Sequence, residues 1–224
     1  VRDKAQDLAQ SWERNAANWT RVVRDGLIAS RKAGTDAAML DAIAALAPKR
    51  LLDIGCGEGW LVRAAAGRTG CAGVGIDGSA ELIAAAQAAD TANRYLVLDY
   101  TAFTARGAAV LGEGFDVAVF NYALFEEDVA PVLRAAAALL TPDGVIIVQT
   151  LHPGAADAAS DGWLVEDFSA FQGGGWAPMP WYSRSLASWR NVVEDAGLSV
   201  VEIREPKAPD RRVLSLLMIC KAKG

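Results

Sequence analysis

The sequence predicts an α/β fold, an open doubly wound sheet with helices on both faces, and three observations carry that expectation. From Arg50 onward, short apolar runs alternate with longer Ala-rich segments of helical character, the pattern of successive βα units. The glycine-rich turn Asp53-Ile54-Gly55-Cys56-Gly57-Glu58-Gly59 follows the first of those runs, where such folds pass from strand to helix beside a ligand. The chain has 224 residues, 52% of them hydrophobic, and no Pro/Ser-rich linker. It can therefore bury one sizeable core.

The first forty-odd residues read as two helices, with Trp12, Ala16, Trp19 and Val23 at helical spacing in the first. Strands are expected at Arg50 to Ile54, Ala72 to Ile76, Tyr95 to Leu98, Phe115 to Phe120 and Val145 to Thr150, each bounded by Gly, Asp or Pro. Helices are expected near Gly59 to Gly67, Ala80 to Ala88 and Val129 to Leu140, with a turn at Ala102 to Ala109. Leu151 to Ser185 reads as a long irregular insertion after the fifth strand. It is rich in aromatics and carries the run Gly173-Gly174-Gly175, so it is expected to wall a pocket. A helix from Leu186 to Ala196 ends at Gly197. Strands at Ser199 to Arg204 and Val213 to Lys221 complete the chain as an antiparallel pair.

A net charge of -5 and a pI near 5.0 argue against a nucleic-acid partner, whose phosphates call for clustered Lys and Arg. Cys56, Cys71 and Cys220 have neither disulfide nor zinc spacing, so a reducing, cytoplasmic setting and no metal are expected. The charged, amphipathic start does not resemble a secretory signal, and no apolar run reaches membrane-spanning length. A small-molecule partner fits this balance better, while the oligomeric state is not legible.

Alternate glycines after a strand let the backbone approach a ligand closely. A nicotinamide dinucleotide fingerprint needs a sixth-position glycine, and Trp60 stands there instead. Asp77, ending the second strand, suits a carboxylate accepting from two ribose hydroxyls; alternatively, Asp77 or Ser79 caps the next helix. Asp99, ending the third strand, could accept from an adenine amine with Tyr100 covering the ring, or could simply be a turn Asp.

In order, LLDIGCGEG, GVGIDGS, YLVLDY, FDVAVFNYALF and LLTPDGVIIVQTLHP resemble the successive motifs of class I S-adenosylmethionine-dependent methyltransferases, over roughly Leu51 to Lys221. The resemblance implies a Rossmann-like sheet of seven strands, the last antiparallel, that binds S-adenosylmethionine and releases S-adenosylhomocysteine. It implies that Gly55, Cys56 and Gly57 approach the methionine moiety, with Asp53 shaping the turn. It also implies that Asp77 with Gly78 holds the ribose, Asp99 with Tyr100 the adenine, and that Asn121 lies where backbone meets the donor amino group. On this reading 1–224 is one methyltransferase domain: a helical lid at 1–46 bearing Trp12, Asn15 and Trp19, a cofactor-binding core at 50–150, a substrate-side insertion at 151–185, and a C-terminal helix and strand pair at 186–224. WERNAANW and the closing EP resemble the small-molecule branch near ubiquinone- and menaquinone-type methyltransferases. A histidine that many relatives carry is replaced here by Phe125-Glu126-Glu127.

On the acceptor side, His152 is the only histidine and follows the fifth strand, so it is a candidate general base or else a loop histidine fixing the start of the insertion. Trp163, Trp181, Tyr182 and Arg184 are candidates for binding the acceptor, Arg184 through its planar fork; alternatively, the tryptophans anchor the insertion and Arg184 pairs with a surface acid. Arg24 and Arg31 are candidates for the donor carboxylate or solvated helix charges. The expected function is methyl transfer to a small molecule by in-line displacement. The alternatives are a non-catalytic S-adenosylmethionine/S-adenosylhomocysteine-binding protein and, from the shared glycine turn, a nicotinamide-dependent oxidoreductase.

Overall fold

The computed structural model describes residues 4–154, 160–171 and 174–223. Two N-terminal helices, α1 (Lys4–Arg24) and α2 (Asp36–Leu46), are joined through a short segment kinked at Gly34. There follow β1 (Arg50–Ile54), α3 (Trp60–Thr69), β2 (Ala72–Asp77), α4 (Ala80–Ala89), β3 (Arg94–Val97), α5 (Tyr100–Leu111), β4 (Phe115–Asn121), α6 (Ala130–Ala137) and β5 (Leu140–Thr150). The rest of the chain forms β6 (Gly162–Glu166), β7 (Met179–Ser183), α7 (Leu186–Asp195), β8 (Leu198–Arg204) and β9 (Leu216–Ala222).

Seven strands form one sheet in the order β3-β2-β1-β4-β5-β9-β8. β1 to β5 pair in parallel, whereas β9 runs antiparallel to both its neighbours, β5 and β8. The antiparallel last strand expected from the sequence is thus present, inserted one place in from the edge.

Side-chain alternation along the central strands feeds two cores. Leu51 joins Met39, Ile43, Leu61 and Ile147 on the face covered by α2 and α3. Its neighbour Leu52 joins Phe103, Phe120, Leu133 and Trp189 on the face covered by α5, α6 and α7. Because both faces are covered, β1 reads as an unbroken apolar run rather than an alternating one. Each of these fully buried Leu, Ile or Phe side chains contributes about 2 kcal/mol by burial.

Three expectations shift. The turn foreseen at Ala102 to Ala109 is a full helix, α5, because Asp99 caps it by accepting from the Ala102 amide at 2.7 Å. The helix foreseen through Leu140 stops at Ala137, and β5 starts at Leu140 because that residue pairs with Phe115. The insertion is not irregular throughout: β6 and β7 form a separate antiparallel two-stranded sheet, with Trp163 opposite Tyr182. Gly173, within the glycine run, and residues 155–159 of the insertion lie outside the described residues.

Candidate active site

The strand order reverses between β1 and β4, so the loops leaving their carboxyl ends diverge and open a crevice. A cavity of about 370 Å³ lies there, lined from one end by the glycine turn, Asp77 and Asp99, and from the other by aromatic residues of α1, the loop after β4, and the insertion.

The glycine turn is pinned from beneath: the amides of Gly55 and Cys56 donate to the Ile76 carbonyl at 2.8 and 2.9 Å. Gly55 has φ 78°, and a Cβ there would come within 2.6 Å of Ala123 Cβ, so a side chain is excluded twice over. Gly57 has φ 55°, and its missing Cβ would sit in the cavity, 3.8 Å from Trp19 Nε1. The N-terminus of α3 has no side-chain cap, since Gly59 occupies that place.

Asp77 orders this end of the cavity. One carboxylate oxygen accepts from the Gly57 amide at 2.9 Å, and the other accepts from the Ser79 amide at 2.9 Å. Each oxygen keeps a lone pair for a ligand hydroxyl. Burial raises its pKa, the Ser79 and Gly57 amides pull it back, and the charge of Glu13 adds to the rise. Capping of α4 falls to Ser79, whose hydroxyl accepts from the Leu82 amide at 3.2 Å. Asp77 therefore does not serve as that cap.

Beneath the turn, Asp53 is 1% exposed and its Oδ1 has no hydrogen-bond partner. Burial first, and then the charge of Asp77, push its pKa up to about 8. Cys56 is buried too; burial, with Asp53 and Asp77 nearby, pushes its thiol well above the ordinary range. Its sulfur packs where a Cβ on Gly75 would stand, at 2.8 Å, so Cys56 is a packing residue.

Asp99, besides capping α5, is exposed at the cavity wall with Gly78 close by. Tyr100 turns inward, its hydroxyl donating to the Ala123 carbonyl at 2.9 Å, so it braces the loop after β4 against the glycine turn. Asn121 lines the cavity while its side-chain oxygen accepts from Gln149 Nε2 at 3.2 Å. The next residue, Tyr122, holds a left-handed backbone at φ 53°, a strained choice for a non-glycine residue beside a ligand cavity.

Two cations of the N-terminal segment have different fates. Arg24 binds Glu58 at 3.0 Å, and Glu58, 1% exposed, is also held by Arg63 at 2.7 Å. This fastens α1 to the glycine turn. Arg31 lines the cavity, its guanidinium 4.1 Å above the Trp60 ring and its Nε on Asp36 at 2.9 Å. Trp60, the residue that argued against a dinucleotide, thus forms the stacking surface for a cavity arginine.

At the other end, Asn15 locks α1 to the insertion through a reciprocal pair, donating to the Ala177 carbonyl and accepting from its amide, both at 2.8 Å. Trp12, Trp19, Phe125, Phe168 and Phe171 surround the cavity there, with Met179 and the carboxylates Glu126 and Glu166. Trp12 stacks on Phe125 at 6.1 Å and meets Trp19 edge-on at 5.4 Å.

The acceptor-side residues expected from sequence are not brought into this cavity. Leu151 lines it, so His152, the next residue, faces elsewhere. Its Nε2 lies 3.0 Å from Glu205 and its Nδ1 accepts from the Gly154 amide, leaving neither nitrogen directed at the cavity. It behaves as the loop histidine of the alternative reading. Arg184, 3% exposed, donates to the carbonyls of Glu126 and Glu127 and lies over the rings of Tyr182 and Trp189, so it props the loop after β4 from behind. Trp163 donates to Glu127 at 3.1 Å and Trp181 meets Phe125 edge-on at 6.2 Å, both outside the lining. These four insertion residues anchor; Phe168, Phe171, Met179 and Glu166 form the wall. The aromatic insertion that the sequence reading expected as a pocket wall supplies Phe168 and Phe171, but Met179, Glu166, Glu58 and Asp36 were not singled out, because nothing in their spacing separates a lining side chain from an anchoring one.

Residues 31–203 match the family described as the methyltransferase domain. The chain belongs to the methyltransferase family. It is an enzyme of the class I, S-adenosylmethionine-dependent kind, and the oxidoreductase alternative is set aside. Solved structures share the methyltransferase's fold. A 1,6-didemethyltoxoflavin-N1-methyltransferase from Burkholderia thailandensis, with bound 1,6-didemethyltoxoflavin and S-adenosylhomocysteine, superimposes with a TM-score of 0.68 at 18% identity, covering 100% of this chain and 92% of that one. DhpI in complex with SAH gives a TM-score of 0.70 at 16% identity, over 98% and 97% of the two chains. An S-adenosylmethionine dependent methyltransferase from Mesorhizobium loti gives 0.57 at 24% identity, over 80% and 95%. The comparison with curated proteins finds no match. Among the described residues, no helix of the methyltransferase is long and apolar enough to cross a membrane.

Proposed function

We propose that this methyltransferase moves the methyl group of S-adenosylmethionine to a small-molecule acceptor seated among the aromatic residues beneath α1. The observation that carries this reading is the continuity of one cavity from Asp77 and the glycine turn to the aromatic end. A donor and an acceptor held in it lie in a common space.

The residues present suit the donor. Asp77 holds the ribose hydroxyls through its remaining lone pairs, and Asp99 with Gly78 takes the adenine edge. Gly57 leaves open the volume that a Cβ would fill, so backbone can approach the methionine moiety. The orphaned oxygen of Asp53 and the backbone at Asn121 serve its amino group, and Arg31, supported by Asp36 and Trp60, takes its carboxylate. When bound, S-adenosylmethionine supplies an electrophilic methyl carbon. The protein's part is to align the acceptor in line with it and to exclude water, which supplies most of the acceleration in such a displacement. Trp12 and Trp19 do both: they cover the cavity and, through the Arg24–Glu58 and Asn15–Ala177 contacts, are fixed to its two ends at once. The small-molecule acceptor bound by the Burkholderia relative supports the same reading.

The test is turnover. The protein incubated with S-adenosylmethionine and fractionated metabolites is expected to release S-adenosylhomocysteine with at least one fraction. Tight binding of S-adenosylhomocysteine with no release from any fraction would favour the non-catalytic binding protein instead.

A further inference from the structure

We propose that Gln149, a buried residue of β5, is a positioning residue for the donor: it turns the Asn121 carboxamide so that its NH2 group donates to the carboxylate of the methionine moiety. This rests on the reading above that the glycine-turn end of the cavity holds S-adenosylmethionine. Gln149 is 1% exposed and does not itself line the cavity. Both hydrogens of its Nε2 are committed, one to the Thr35 carbonyl at 3.1 Å and the other to Asn121 Oδ1 at 3.2 Å. A carbonyl can only accept, so Thr35 fixes which end of the Gln149 amide is nitrogen. That nitrogen in turn fixes the near end of the Asn121 amide as oxygen.

Asn121 therefore turns its Nδ2 away from Gln149. That nitrogen has no partner among the described residues, and Asn121 lines the cavity. Gln149 Oε1 is buried without a donor, an arrangement that costs stability and that goes with the one amide orientation able to set Asn121.

Asn121 stands at the methionine end of the cavity. It ends β4 in register with Gln149, and two residues on, Ala123 Cβ lies 2.6 Å from where Gly55 would carry a Cβ. The loop after β4 is thus packed on the glycine turn. Thr35 belongs to the short segment that begins at Arg31 and leads into Asp36, so the bond to its carbonyl holds that segment against the same strand end. Burial raises the pKa of the Tyr122 hydroxyl, Asp36 adds to the rise and Arg31 opposes it, so both charges lie near the residue that follows Asn121. At this end the donor offers an ammonium, which only donates, and a carboxylate, which only accepts. Nδ2 only donates. Its partner is the carboxylate, which it shares with Arg31.

5′-Methylthioadenosine keeps the nucleoside and sulfur of S-adenosylhomocysteine but lacks its amino-acid end, so the ratio of the two affinities isolates that end. Both compounds are titrated calorimetrically into the wild type, Asn121→Asp and Gln149→Met. Asn121→Asp keeps one oxygen for Gln149 and sets the other against the ligand carboxylate. It is expected to weaken S-adenosylhomocysteine about tenfold, with 5′-methylthioadenosine unchanged within about twofold. Gln149→Met is similar in size but cannot donate, and is expected to lower the ratio about threefold because the Asn121 carboxamide is then free to turn. Gln149→Glu, which can accept from Asn121 Nδ2 and so reverse the carboxamide, is the second variant at that position and is expected to act in the same sense. A merely structural role would weaken both compounds together, and that result overturns the inference, as does a ratio unchanged in Asn121→Asp or in both Gln149 variants. No acceptor is needed, so the ratio decides the inference whether or not turnover is found. Binding of neither compound to the wild type would refute the donor site and the inference together.

Discussion

The two ends of the cavity are built by different means. The donor end is backbone geometry: three glycines at positive φ, amides pinned to the Ile76 carbonyl, and one carboxylate, Asp77, tying the turn to the end of β2. The acceptor end is side-chain packing, drawn from α1, the loop after β4 and the insertion with its small separate sheet, which meet one another through aromatic rings. Backbone geometry at the donor end demands glycines and an acid at fixed spacing, and so leaves a mark in the sequence. Ring packing is met by many arrangements and leaves almost none. A site can thus keep its donor chemistry while its acceptor wall is rebuilt from whatever aromatic residues the insertion presents.

The strongest way to break this division is to cut the fastening that joins the two ends. Glu58→Ala leaves Arg24 and Arg63 without their buried partner. Because both guanidiniums are partly exposed, about 2 kcal/mol is expected rather than the full cost of orphaned buried charges. Thermal unfolding measures the loss, and α1 is expected to become the fastest-exchanging helix by hydrogen exchange. An unchanged melting temperature and exchange pattern would show that α1 is held by its apolar face alone.

A pH-dependent effect concerns Asp53. Its folded pKa of about 8 lies above the unfolded value near 4, so the folded state binds the extra proton between these pH values. The stability Asp53 confers is therefore full below pH 4 and is lost as pH rises toward 8. Asp53→Asn, which mimics the protonated form, is expected to raise the melting temperature by several degrees at pH 8 and by little at pH 4. A pH-independent difference between the two proteins would remove the carboxylate from the donor-end account.

Trp12→Ala strips one face of the aromatic end. Acceptor affinity is expected to fall about tenfold while S-adenosylhomocysteine affinity holds within about twofold. Equal losses of both would mean that the ends are not separable. Arg31→Ala reverses the pattern: a loss of about three- to tenfold for S-adenosylhomocysteine, with an unchanged KM for the acceptor. The smallest effect belongs to His152→Ala, for which turnover and its pH profile are expected to stay near wild type, since both ring nitrogens are engaged away from the cavity. A hundredfold loss of kcat would restore His152 as a base.

These contrasts follow what the sequence could show. β1 runs over the residues its apolar run marked, and the β1-to-β4 reversal that opens the cavity follows from βα succession with the glycine turn after the first strand. Asp77 stood out in the sequence as the acid that ends the second strand; the structure places it at the cavity and gives the cap of α4 to Ser79, a choice that the sequence had left open. The hairpin of β6 and β7 was not, because five-residue strands separated by a long Gly- and Pro-bearing connection carry no period strong enough to see. His152 and Arg184 were misplaced for a related reason. Position after a strand tells which edge of the sheet a residue joins, but one residue of alternation decides whether it faces the cavity, and at this point Leu151 takes the inward place. Arg184 looked like a substrate clamp because its partners, the carbonyls of Glu126 and Glu127, are backbone groups that carry no sequence signature.

The central claim is that Asp77 and the glycine turn bind S-adenosylmethionine through the ribose. Calorimetric titration of S-adenosylhomocysteine into the wild type and Asp77→Ala tests it most directly. Two lost hydrogen bonds to a charged acceptor correspond to roughly 100-fold weaker binding, with the variant folded by circular dichroism. Equal affinity in the two proteins, or no binding to the wild type, would contradict it.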